Sequence, residues 1–146
     1  MWADDYLTNW SSLTRDGGVA DFFIDMNRKH VERRYDAPVV SFSHFLPRRE
    51  LMFLNGRRPP AHVAARFGGR GAYFNFSRVA GSGRLEKQIR TLGSSVHVYG
   101  HQHRDRDVVI DGVRYISNCL GYPHERERGQ TGSQSPGPAL VWETGG

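Results

Sequence analysis

Apolar positions recur along this chain with changing periods, and each change marks an element. Trp2, Tyr6, Trp10 and Leu13 fall at helical spacing, as do Val19, Phe22, Phe23, Met26 and His30. Asp16-Gly17-Gly18 breaks the two stretches apart, so residues 1–36 read as a helical lead-in. From Ala37 to Phe45 the pattern becomes apolar and β-branched, which predicts a buried strand ending near His44 and stopped by Pro47. No period is sustained from Asn55 to Arg78, a long excursion rich in Gly, Pro and Arg. Ser82 is placed to cap a helix that carries Leu85, Ile89 and Leu92 on one face and ends at Gly93. Val96 to Tyr99 then predicts a short strand running straight into Gly100-His101-Gln102-His103.

The clearest local signal follows. Asp107–Ile110 and Val113–Ser117 flank Asp111-Gly112, the signature of a two-residue hairpin. Residues 129–138 are low in complexity and predict a flexible loop, and 139–143 are expected to return as a last strand. Helices, strand, helix, strand, hairpin and strand in this order predict a layered α/β body. The whole chain, 1–146, reads as a single domain whose strands and hairpin lie in 37–123.

Composition narrows the setting. At 146 residues the chain can bury a sizeable core. No apolar run approaches the ~20 residues that a bilayer-spanning helix needs, and the first residues lack the basic-then-apolar order of a signal peptide. The single cysteine, Cys119, makes no internal disulfide, so a cytoplasmic setting is the default and no membrane partner is expected. The formal charge is +5, with Arg far outnumbering Lys. Guanidinium grips phosphate oxygens bidentately, which favours an anionic substrate or partner.

Three histidines carry the candidate chemistry. His44 ends one predicted strand, and His101 and His103 follow another, two positions apart. Side chains at i and i+2 of an extended segment point to the same side, and Gly100 frees the backbone to turn there. Imidazoles so placed suit zinc, iron and other first-row metals. His97, between Val96 and Val98, faces the other way and reads as packing. His124 lies in a charge run, Glu125 to Arg128, that reads as a solvated face.

Val39-Val40-Ser41-Phe42-Ser43-His44 and Val96-His97-Val98-Tyr99-Gly100-His101-Gln102-His103 resemble the fourth and fifth motifs of the calcineurin-like metallophosphoesterases. Gly112 to Asn118 resembles the strand that follows that family's Gly-His-x-His motif, so the likeness covers roughly residues 37–123. It implies a four-layer α/β/β/α sandwich, of which this chain would be an incomplete, C-terminal portion. It also implies hydrolysis of a phosphate-ester substrate by two divalent or trivalent ions of Mn, Fe or Zn. His44 and His101 would then bind the second metal and His103 the first. Arg48 and Arg49 would be in reach of substrate phosphate oxygens.

The family's three earlier motifs, Asp-x-His, Gly-Asp-x-x-Asp and Gly-Asn-His followed by an acid, are absent from the sequence. They supply the bridging carboxylate and the remaining ligands. The expectation is therefore a partial metallophosphoesterase-like domain with no catalytic residue of its own and little activity alone, awaiting the missing N-terminal half of the domain or a partner that supplies it. Alternatives are a catalytically inactive scaffold of the same fold and a nucleic-acid-binding module through the Arg/Gly/aromatic segment 57–78, the latter unlikely because the unit does not repeat. A three-histidine site of the cupin type wants a glutamate where Asp105 and Asp107 stand.

Overall fold

The computed structural model describes residues 4–13, 18–53, 80–129, 131 and 137–143. Helices α1 (Asp4–Leu7) and α2 (Gly18–Val31) open the chain, with a 3-10 turn at Ser11–Leu13 between them. Strand β1 (Val40–Ser43) follows, then helix α3 (Gly83–Leu92), strands β2 (Val96–Tyr99), β3 (Arg106–Ile110) and β4 (Val113–Ser117), and helix α4 (Pro123–Glu127). The strands form one mixed sheet in the order β1-β2-β4-β3. β1 and β4 run parallel to β2, and β3 returns antiparallel to β4. The protein is thus a mixed α/β fold.

Local chemistry explains the central elements. The Ser82 hydroxyl accepts the Arg84 backbone N–H at 3.2 Å and starts α3, and Gly93, at φ 70°, ends it in the left-handed conformation that glycine adopts without steric cost. Asp111 and Gly112 both have positive φ, 50° and 80°, as the tight turn joining twisted antiparallel strands requires. The hairpin begins one residue earlier than the pattern implied, at Arg106.

Side chains alternate across a sheet, so register sorts them by face. Ser41, His97 and Tyr115 are paired neighbours, and Ser43 pairs with Tyr99. This face meets Leu46, Leu51, Ala80, Val113 and, from α3, Ile89 to make the core. The opposite face carries Val40, Phe42, Val96, Val98, Ile116 and Val109. Val96 and Ile116 in its centre are buried, but Phe42 is 85% exposed and Val109 68%. β1 is therefore not the buried strand its apolar residues suggested. It is an edge strand that turns its serines inward and its phenylalanine outward.

Two other expectations change. The first amphipathic stretch is a single turn of α1 followed by a 3-10 turn, and α2, although helical, buries no residue completely. α2 is held to α3 by polar contacts: Gln88 Nε2 donates to the Ile24 carbonyl at 2.8 Å, and Arg84 pairs with Asp21. Residues 139–143 form no strand. That segment is tied on by side chains instead, Arg114 Nη1 donating to the Val141 carbonyl and Asn118 Nδ2 to the Gly137 carbonyl. The long excursion, with the segment 57–78, and most of the 129–138 loop lie outside the described residues. Among the described residues no helix is long and apolar enough to cross a membrane.

Candidate functional site

β1 and β2 end side by side, and the Gly100 N–H donates to the His44 carbonyl at 3.1 Å, so both chains leave the sheet at one place. Beyond Gly100 the backbone folds on itself. The Gln102 N–H returns to the Gly100 carbonyl at 2.9 Å around His101, whose φ is 74°, the value of the strained form of the γ-turn. His103 follows at φ 49°. The segment is therefore not extended, and the i, i+2 rule does not govern these two rings. Nor does Gly100 make the turn: its φ is ordinary, and a Cβ there would stand 3.6 Å from the His44 carbonyl oxygen, a normal contact. The histidines themselves occupy the left-handed conformations, at about 1–2 kcal/mol each.

This turn brings His101 onto His44. His101 Nδ1 lies 3.2 Å from His44 Nε2, with ring centroids 5.2 Å apart and nearly perpendicular planes. The Phe45 ring packs against both. Two nitrogens bound to one tetrahedral ion at about 2.0–2.1 Å would stand about 3.3 Å apart. At this separation one imidazole N–H donates to the other ring's nitrogen, and with that proton displaced the spacing matches two ligands of a single ion.

His103 turns elsewhere. Its Nδ1 meets both carboxylate oxygens of Glu125, at 2.9 and 3.1 Å, and its ring packs on Tyr122. Glu125 also accepts the Tyr122 backbone N–H at 2.7 Å. That hydrogen bond first, and His103 second, hold its carboxyl below the usual carboxylate range. An ionised carboxylate only accepts, so Nδ1 of His103 carries the hydrogen, which in the neutral ring leaves the lone pair on Nε2. A carboxylate that orients a ligating imidazole works in this way. Among the described residues, no three His, Cys, Asp or Glu side chains converge as a metal would require. The three expected ligands are thus an imidazole pair and a separate His–Glu dyad. Glu125→Gln should shift His103 toward the Nε2–H tautomer, read from its ring ¹⁵N chemical shifts; an unchanged spectrum would refute the pairing.

His97, read as packing, is buried within the sheet. Its Nδ1 lies 2.8 Å from Ser41 Oγ and its Nε2 3.0 Å from Ser43 Oγ. Ser43 Oγ donates to the Phe45 carbonyl at 2.6 Å, so its oxygen must accept from Nε2–H. Nδ1 then accepts from Ser41, which is also 2.8 Å from Ser94 Oγ. Ser41, the ring and Ser43 form one directional chain ending at the Phe45 carbonyl, while Ser94 Oγ donates to the Val96 carbonyl at 2.7 Å. Burial pushes the His97 imidazole down to about 4, so it is neutral at physiological pH.

Comparison with protein-family models, curated proteins and solved structures finds no match.

The arginines divide. Arg48 Nη1 donates to Asp111 at 2.7 Å and Glu86 at 3.2 Å, and Nη2 to Glu50 at 3.0 Å. It ties the hairpin turn to α3 and is committed to carboxylates rather than open to a phosphate. Arg49 is exposed. Burial, followed by the nearby Asp105 carboxylate, raises the Cys119 thiol, which is therefore no thiolate nucleophile. Glu125 escaped sequence reasoning because it sits in a run of alternating charges; its spacing of three from Tyr122, a capping-box interval, was the available signal.

Proposed function

We propose that this chain contributes the histidine side of a metal-dependent phosphoric-ester hydrolase of the calcineurin-like metallophosphoesterase type. The observation that carries the reading is the meeting of His44 and His101 at adjacent strand tips, nitrogens 3.2 Å apart. The open sheet face is a second support. Helix α3 covers one face of the sheet, while Phe42 and Val109 stand exposed on the other, as expected where a second sheet of an α/β/β/α sandwich would pack.

In this reading His44 and His101 offer lone pairs to one ion, and His103, oriented by Glu125, offers Nε2 to another. Ions of Mn, Fe or Zn so held would activate water and neutralise charge on a phosphoryl group. The carboxylates come from the missing half of the domain or from a partner that supplies it, in a cytoplasmic setting. Arg49 remains a candidate for contacting substrate; Arg48 does not. The chain alone is expected to be inactive, which an inactive scaffold would share. The nucleic-acid reading rests on segment 57–78, and no observation favours it.

Calorimetric titration with Zn²⁺ tests the pair. His44→Ala and His101→Ala should each weaken binding by about tenfold or more, the loss of ~1.4 kcal/mol or more that removing a ligand entails. His30→Ala, on the exposed surface of α2, should not. Equal affinity in all four proteins would remove the metal reading. Robust turnover of an aryl phosphate with Mn²⁺ by this chain, lost in His101→Ala, would instead show that it needs no further carboxylates.

A further inference from the structure

On the core-facing side of the sheet, at the end from which His101 departs, two nitrogens of a guanidinium have no hydrogen-bond partner among the described residues. Arg106 opens β3 opposite Ser117, the last residue of β4. The parallel register pairs Val98 with Ile116, so Tyr99, the next residue of β2, falls beside Ser117 in the same row. Tyr99 is 4% exposed and Ser117 2%. The Tyr99 hydroxyl, Ser117 Oγ, and Nε and Nη2 of Arg106 are all buried, and none has a hydrogen-bond partner.

Such a cluster is costly. Arg106 as a whole is half-buried, but shielding its Nε–Nη2 edge without acceptors is unfavourable unless an anion compensates it. Among the described residues, the charged or ionisable groups acting on Arg106 are Tyr99 and Arg104, with no carboxylate among them. The chemistry of the orphans is also directional. Nε–H and one Nη2–H lie parallel along a single edge of the guanidinium, the edge that binds two oxygens of one carboxylate or phosphate. Two hydroxyls beside it supply further donors.

We infer that Arg106, Tyr99 and Ser117 form a binding site for a tetrahedral oxyanion, the phosphoryl group of a phosphate ester or of free phosphate. The guanidinium edge takes two oxygens, and the hydroxyls donate to the others. The site needs no metal. Only the esterified source of its anion rests on the hydrolase reading above.

The experiment is thermal unfolding of the full chain in metal-free buffer, titrated with inorganic phosphate, with phenyl phosphate, and with chloride at matched ionic strength. Phosphate at ten times its dissociation constant should raise the wild-type Tm by about 4 °C. Arg106→Met should abolish that rise, and Arg106→Lys, which keeps the charge but loses the planar edge, should weaken apparent affinity by about tenfold. Arg106→Lys carries the comparison should the Met variant fail to fold. Protection by phenyl phosphate as well as phosphate identifies an ester-binding site, and protection by inorganic phosphate alone a free-phosphate site. Equal phosphate responses in wild type and both variants would be a general salt effect and overturn the assignment. His44→Ala should keep the full phosphate response, so metal binding and anion binding can fail separately.

Discussion

Replacing His97 by alanine is expected to lower the stability of the protein by about 3 kcal/mol, from the cavity and from orphaned serine hydroxyls together. Domains of this size are stable by only about 5–15 kcal/mol, so the loss is large. The buried ring hydrogen-bonds to both Ser41 and Ser43 and so ties β2 to β1. The same burial gives the wild type a distinctive pH response. His97 titrates near 6.5 unfolded and about 4 folded, so between these values the unfolded chain binds the extra proton. Its contribution is complete above pH 6.5 and is lost as pH falls toward 4, at most about 3 kcal/mol in all. Urea unfolding followed by tryptophan fluorescence, at pH 7 and at pH 4.5, measures both effects. His97→Gln, which retains a donor and an acceptor without the titration, should recover part of the stability and flatten the pH dependence. Identical acid sensitivity in wild type and His97→Gln would remove the buried neutral imidazole from the account.

The second large effect concerns the uncovered face of the sheet. Phe42 and Val109 flank the buried Val96 and Ile116 on that face, and covering it with a second copy removes the phenyl ring from water. A fully buried phenylalanine contributes roughly 1.5–3 kcal/mol, so Phe42→Lys should weaken association by about ten- to a hundredfold. Sedimentation velocity should show the wild-type chain associating at concentrations where Phe42→Lys and Val109→Lys run as monomers. A wild-type chain that remains monomeric at high concentration would mean that the exposed apolar residues do not make a sticky surface.

The sequence exposed some of this architecture and concealed the rest for definable reasons. Ser82, Gly93 and Asp111-Gly112 announced α3 and the hairpin, because caps and tight turns depend on residues adjacent in the chain. The meeting of His44 with His101 was foreseeable from two strand ends preceding histidines, although it is achieved by a turn that strand periodicity does not describe. Burial in β1 was misread, since an apolar residue in an edge strand reveals nothing about which face the helix covers. Arg48 looked available for phosphate because two of its three carboxylate partners, Glu86 and Asp111, lie 38 and 63 residues further on. Arg106, and the His103 partner of Glu125, were hidden for the same cause. Their significance lies in partners, present or lacking, that only the folded sheet brings alongside.

His101 and His103 also bear on how this loop tolerates change. Glycine would adopt both backbone conformations without strain, so architecture alone would favour glycine at each position. The loop bears an imidazole at each instead, at a combined cost of about 2–4 kcal/mol against total stability. Glycine at either position would relieve the backbone strain and remove the imidazole, so robustness and side-chain chemistry pull in opposite directions in this loop.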